Sequence, residues 1–239
     1  MKEVDCYCAS LWRGGHIIKS ALSLLQQAEC ASMTITLNNY TDEQFAQVEH
    51  VLGIFERVTL IRGDNEKGSN EKLRYLANGK AEFICLFDDD LLYPLDYLQR
   101  LIEGCNYYNG MVSMHGVIIN KGLIQSYYRD RIVFRGLGEV KKSVEVDIAS
   151  NCGSMWKRKW FTDYADWIDR VGPVSMDDCY VGYFMKKKGI HKYCLKHSEG
   201  YLQHKVQEEG EFYVFNEYAL VPGADIIQTT FINSFYKKL

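Results

Sequence analysis

Proline is scarce in this sequence, and so is every other signal that would divide it into modules. Pro94, Pro173 and Pro222 are its three prolines, and no repeat, low-complexity tract or linker-like stretch interrupts the chain. One domain spanning 1–239 is therefore expected, a length ordinary for a large α/β unit. No apolar run approaches the length of a membrane-spanning helix, so no transmembrane segment is expected. The opening stretch "MKEVDCYCAS" carries acids where a secretory leader would need a long apolar segment. A basic excess is also missing: the net charge is -3, which argues against a nucleic-acid partner. Finally, none of the eight cysteines forms a Cys-x-x-Cys pair. Their scatter through apolar runs reads as reduced, buried thiols in a cytoplasmic compartment rather than a disulfide framework.

What is present is a strong alternation in the first hundred residues. "VDCYCAS", "SMTITLNN", "RVTLIRG" and "EFICLF" read as strands. Between them, "GGHIIKSALSLLQQA", "YTDEQFAQVEHVLGIF" and "NEKLRYLANGK" read as helices, with Thr41 or Asp42 as a cap for the second. "EFICLF" is apolar on both faces, as a central parallel strand would be. Pro94 then opens a helix through Tyr108. The second half is less regular. Strands are predicted over 110–120 and 143–150, and helices over 157–171 and 177–190, the last stopping at Gly189. Strand–helix alternation predicts a doubly wound, mostly parallel central sheet flanked by helices, with ligands beyond the carboxyl ends of the strands.

At one such end stand Asp88, Asp89 and Asp90, three like charges directly after a buried strand. They are tolerable together only with water or a cation. Asp88 and Asp90 suit a hard divalent cation, Mn2+ or Mg2+, whose shell water and a diphosphate would complete. The plainer reading is a solvated acidic turn. A second acidic pair, Asp177 and Asp178, opens the helix that ends at Gly189, where it could serve as a cap or hold a carboxylate ionised for proton transfer.

The segment "GKAEFICLFDDDLLYPLDYLQRLI" resembles the metal-binding region of GT-A fold glycosyltransferases, in particular the large inverting glycosyltransferase family 2. Asp88 and Asp90 fall on the two aspartates of the Asp-x-Asp motif, and Leu91 stands where that family often has a further acid. "CASLWRGGHIIKSALSLLQQ" is similar to the opening strand, loop and helix, with Ser10 and Arg13 at matching places but Ala9 and Trp12 replacing the usual proline and asparagine. "ITLNNYTDE" resembles the second strand, with Asn38 and Asn39 where aspartates usually contact base and ribose. The Asp178-to-Gly189 gap also reproduces the family spacing.

The resemblance implies a GT-A (nucleotide-diphospho-sugar transferase) fold, with 1–105 as the nucleotide-binding half and 106–239 as the acceptor-binding half. It further implies a hexosyltransferase that moves a sugar from a nucleotide-diphosphate donor to a hydroxyl of a glycan, lipid-linked or other acceptor, with inversion. Asp178 would be the general base, assisted by Asp177. Asp88, Asp90 and His204 would hold the metal, and Ser10, Arg13, Asn38, Asn39, Lys72, Asp88 and Asp89 would contact the donor.

His197 competes with His204 as a ligand, and His16, His50, His115 and His191 have no supporting context. Gly68, Ser69 and Arg74, in the loop that carries Lys72, are further candidates near the diphosphate, against a plain surface loop. Trp156 is either a sugar-stacking platform or core. "QSYYRDRIVFR" either shapes the acceptor site or forms a solvated hairpin, and the tail "TTFINSFYKKL" either packs on the domain or touches a membrane surface weakly. The rival functions are a sugar-phosphate nucleotidyltransferase, although "ASLWRGGHIIK" lacks most of that class's phosphate loop, and a degenerate GT-A domain that only binds glycans.

Overall fold

A computed structural model describes residues 3–12, 15–150, 153–161, 177–204, 223 and 225–234. β1 (Val4–Leu11), α1 (His16–Leu25), β2 (Cys30–Asn38), α2 (Asp42–Leu52), β3 (Val58–Gly63) and β4 (Phe83–Phe87) realise the alternation expected of the first half. Ile17, Ala21 and Leu24 recur at helical spacing and are buried, so α1 lays one apolar stripe on the sheet. α2 starts where its sequence says it should. The Thr41 hydroxyl accepts from the Gln44 N–H and the Gln44 side chain accepts from the Thr41 N–H, a reciprocal capping box.

Further along come β5 (Leu91–Leu92), α3 (Tyr97–Tyr108), β6 (Met111–Ser113), β7 (Gly116–Ile119), β8 (Arg131–Phe134), β9 (Val144–Glu145), β10 (Ile148–Ala149) and β11 (Gly153–Lys157). They are followed by α4 (Asp177–Lys187), β12 (Lys192–Cys194), β13 (Gln203–His204) and α5 (Ile226–Ser234). The main sheet has the order β3-β2-β1-β4-β11-β6-β12-β9, with β7, β8 and β10 in a second sheet and β5 paired with β13. The β1–β2, β2–β3, β1–β4 and β6–β12 pairs are parallel, whereas β11 runs antiparallel to both its neighbours. All five residues of β4 are buried, as its two-sided apolar pattern requires, but its second neighbour is the antiparallel β11.

Several expectations need correction. The helix predicted over 70–80 is two 3-10 turns, Gly68–Leu73 and Leu76–Asn78. Here Asn70, Glu71, Lys72 and Leu73 are consecutively buried, which a single apolar helix stripe does not allow. The strand predicted over 110–120 breaks at Met114–His115 into β6 and β7, which lie in different sheets. The Ser113 hydroxyl marks the switch, accepting from the His115 N–H and donating to the Ser150 carbonyl. The strand predicted over 143–150 likewise splits into β9 and β10, with the Asp147 carboxylate turned to the Ile119 N–H. α3 begins at Tyr97, three residues after Pro94, whose carbonyl accepts from the Tyr97 N–H. Of the helix predicted over 157–171, Lys157 belongs to β11 and Arg158–Trp160 form one 3-10 turn; 162–171 lie outside the described residues. The seven described cysteines are buried free thiols. Among the described residues, no helix is long and apolar enough to cross a membrane.

At the amino-terminal edge of the sheet, Asp5 ties four segments together. Its carboxylate accepts from Ser32 Oγ at 2.5 Å, from the Ala81 N–H at 2.9 Å and from Arg158 Nη2 at 2.6 Å. Arg158 also donates to the carbonyls of Ala81 and Leu76. Replacing Asp5 would strand these donors and leave a guanidinium without its carboxylate. Asp5→Ala is expected to lower unfolding stability by about 3 kcal/mol, read as a shift of the urea midpoint at unchanged slope.

Candidate active site

Because β1, β2 and β4 are parallel and adjacent, their carboxyl ends deliver Ser10, Asn38 and Asp88–Asp90 to one edge of the sheet. The chain turns immediately after β4. The Asp88 N–H donates to the Tyr93 hydroxyl at 3.0 Å, which fixes the start of the acidic run against the buried Tyr93 ring.

The acids of 88–90 and those of 177–178 converge there, and Lys72 joins them. Its ammonium is buried and lies 3.1 Å from Asp88 Oδ1 and 2.8 Å from Asp177 Oδ2. Burial alone would lower its pKa, but Asp177 and then Asp88 reverse this and hold it well above the ordinary lysine value. Asp177 is further anchored by Ser69 Oγ at 2.8 Å. Asp88 has the opposite balance. Burial among protein atoms raises its pKa, Lys72 opposes this, and the nearby Asp90 and Asp177 add to it. Its side chain nevertheless keeps 39% of its surface in contact with solvent. A carboxylate crowded by acids and open on one side is suited to receive a cation.

The three aspartates do different things. Asp89 is buried, accepts from Ser10 Oγ at 2.5 Å and, through its carbonyl, from Ser20 Oγ at 2.8 Å. Ser10 also shares a hydrogen bond of 2.8 Å with Tyr40. Asp89 and Ser10 thus brace the turn against α1 and β1. Asp90 lies 3.4 Å from His204 Nε2, because β13 pairs antiparallel with β5 and sets His204 opposite Leu91. His197 is different: its ring nitrogens lie 2.8 Å and 3.2 Å from the carbonyls of Leu195 and Arg135, so the ring is turned to backbone acceptors. Among the described residues, no group of three or more His, Cys, Asp or Glu side chains is placed to hold a metal ion. Asp88, Asp90 and His204 are therefore near one another without forming a metal-holding group.

Asp178 occupies the first turn of α4, with Ser150 Oγ donating to its Oδ2 at 3.0 Å. A carboxylate at a helix N-terminus is stabilised in its ionised form by the aligned peptide dipoles. The backbone behind Ser150 leads to a residue without any motif context, His115, whose carbonyl accepts from the Ser150 N–H. The His115 imidazole accepts the Gly136 N–H at Nδ1, and burial, together with Arg131, Arg135 and His197, pushes its pKa down to about 4.

At the end of β2, Asn38 is buried and donates weakly to Asn65 Oδ1 and to the Gly68 carbonyl, both at 3.3 Å. Its Oδ1 has no hydrogen-bond partner among the described residues. Asn39 is exposed and left-handed, with φ 54. Arg13 lies outside the described residues. Arg74 pairs with Glu71 at 3.0 Å. Trp156 is fully buried and stacks on Phe161, so it is core and not a sugar platform.

These features define a mixed α/β fold, a large central sheet flanked by helices, with the candidate site at the carboxyl edge of its parallel strands. A solved structure with this fold is the mannosyltransferase PcManGT from Pyrobaculum calidifontis in complex with GDP-Man and Mn2+, at a TM-score of 0.57 and 16% identity. The match covers 87% of this chain and 58% of that one, so the chain spans little more than half of its neighbour. At this identity the likeness is one of fold. No protein-family model and no curated protein matches the sequence.

Two tests follow from the charges. In a double-mutant cycle, Lys72→Met and Asp177→Asn are expected to be non-additive by about 2 kcal/mol in urea unfolding, because both remove the same buried ion pair. His115 makes a pH-dependent contribution. Its folded pKa of about 4 lies below the free value of 6.5, so this part of the stability is complete above pH 6.5 and is lost as pH falls toward 4. His115→Gln is expected to flatten the decline in Tm across that window.

Proposed function

We propose that this chain is a glycosyltransferase of the GT-A type that transfers a sugar, with inversion, from a nucleotide-diphosphate donor to an acceptor hydroxyl. The observation that carries the reading is the convergence of Asp88, Lys72 and Asp177 in one ion-paired group, with Asp178 next along α4. Residues 1–105 would bind the nucleotide and 106–239 the acceptor. Asn38 and Asn39 would contact base or ribose, Ser10 and Asp89 would shape that wall, and Arg13 would add charge beside it.

Asp88, Asp90 and His204 would hold a Mn2+ or Mg2+ ion, which when bound supplies positive charge to the departing diphosphate. The two acids of α4 divide the remaining work. Asp177 is tied to Lys72 and Ser69 and acts as a brace. Asp178, oriented by Ser150 through one oxygen, is the general base. It takes the proton of the acceptor hydroxyl as that oxygen bonds to the anomeric carbon. The bond from this carbon to the diphosphate oxygen breaks, and the electron pair leaves with the nucleoside diphosphate. Attack from the face opposite the leaving group inverts the centre. Lys72, between the two acidic groups, adds a fixed cation near the leaving phosphates.

The neighbour's ligands, GDP-Man and Mn2+, place GDP-mannose first in a panel of nucleotide sugars. Donor hydrolysis or transfer that needs Mn2+ is the expected result. Asp90→Asn is expected to abolish the Mn2+-dependent thermal shift given by a nucleoside diphosphate. Asp178→Asn should keep that shift and lose transfer by about a thousandfold or more, within the range of general-base effects. Full transfer by Asp178→Asn would refute the base assignment. Pyrophosphate release from a nucleoside triphosphate and a sugar phosphate would indicate nucleotidyl transfer instead.

A further inference from the structure

We propose that the acceptor carries an oxyanion group, phosphate or carboxylate, and that Arg131, with Arg135 and His115, forms its subsite beside Asp178. The inference rests on the glycosyl-transfer reading and adds the class of acceptor to it.

Arg131 opens β8, opposite Ile119 of β7, on the face of the small sheet that also presents Val117 and Ile148. Val117, Ile119 and Ile148 pack with Cys179 and Tyr180 of α4 and Ile232 of α5. Arg131 is therefore directed toward the start of α4. Its guanidinium lies over two rings, 4.3 Å from the centroid of Tyr127 and 4.6 Å from that of Tyr128. Such stacking fixes the plane of the cation while its edge remains able to donate. Its Nε is buried without a hydrogen-bond partner, and Arg131 makes no ion pair among the described residues.

Two chain paths connect this cation to Asp178. The Tyr127 hydroxyl interacts with the thiol of Cys179, the residue after Asp178, and Tyr128 feels both Arg131 and Asp178. On the other side, Ser150 bonds to Asp178 through its hydroxyl and to the His115 carbonyl through its N–H. The His115 ring accepts at Nδ1, so its own proton sits on Nε2, which makes it a neutral donor. Arg135 precedes the Gly136 that makes this bond, is exposed, and also makes no ion pair among the described residues. Nearby carboxylates are turned to other donors: Asp130 accepts from the Gln125 and Ser126 N–H groups, and Asp225 from Ser126 Oγ and the Tyr128 N–H.

The arrangement is built rather than incidental. α5 clamps the tyrosine segment from behind. Thr229 Oγ1 accepts from the Tyr127 N–H at 2.9 Å, and the Asn233 amide bonds both the N–H and the carbonyl of Ile124. Arg131 and Arg135 both act on the His115 imidazole, and the acid beside this group is Asp178, the proposed base itself. A neutral hydroxyl acceptor would need no such charge, and an oxyanion would use all three donors.

The test uses the full chain, titrated in the presence of EDTA with glucuronate, glucose 6-phosphate and glucose by calorimetry or NMR. At least one sugar acid is expected to bind about tenfold or more tightly than glucose, the worth of one charge-assisted hydrogen bond. Which acid binds identifies carboxylate or phosphate. Arg131→Gln and Arg135→Gln should each weaken that binding at least about fivefold. Both should leave unchanged the binding of a nucleoside diphosphate with Mn2+, measured in parallel as the readout of the donor site. Because the Arg135 side chain is exposed, its variant carries the test if Arg131→Gln does not fold. The proposal is overturned by equal binding of sugar acids and glucose, by retention of sugar-acid binding in the folded variants, or by displacement of the sugar acid with GDP and Mn2+.

Discussion

A buried ammonium between two carboxylates is the constraint on which this molecule turns. Lys72 reaches its position on a 3-10 turn, Asp88 at the end of a central strand and Asp177 at the head of a helix. None of these groups would tolerate desolvation alone. Each satisfies the others, so the three elements are held at one place by electrostatics as well as by packing. Acids from distant parts of the sequence are thereby brought to one lysine. The turn that carries Lys72 departs from α-helical geometry because Asn70 to Leu73 are all drawn inward.

The neighbouring acids Asp177 and Asp178 show how a helix start can separate two roles. One is held by a lysine and a serine, and the other accepts from the hydroxyl of Ser150. Adjacent residues on a helix point about 100° apart, so one can complete the ion pair while the other turns to Ser150. The acidic run 88–90 is divided in the same way. Asp89 turns inward to Ser10, while Asp88 and Asp90 are left to Lys72 and His204.

The first half of the fold was legible because period-two and period-3.6 patterns were uninterrupted there. β1 to β4 and the first two helices lie where "VDCYCAS" through "EFICLF" place them. The second half was harder to read for a physical reason. Strands that switch sheets, such as β6 into β7 and β9 into β10, keep a strand-like sequence across the switch, and the break lies in side-chain hydrogen bonds of Ser113 and Asp147 that no periodicity carries. The acids were visible through their placement at a strand end and a helix start. Ser150 and His115 were not, since their proximity to Asp178 arises from pairing between β7 and β10. Trp156 shows the converse limit: an aromatic in a small-residue segment reads equally as platform or core, and only burial decides.

The two-residue ribbon formed by β5 and β13 also bears on mechanics. It seats a histidine from late in the chain against an aspartate that follows β4. A cation shared by Asp90 and His204 would act as a rivet between these distant segments, closing the long intervening loop in much the way a cross-link does. Loading the site would then stiffen β13 and the turn after Phe87 together, so that occupancy beside β4 is felt as order in a strand read much later in synthesis.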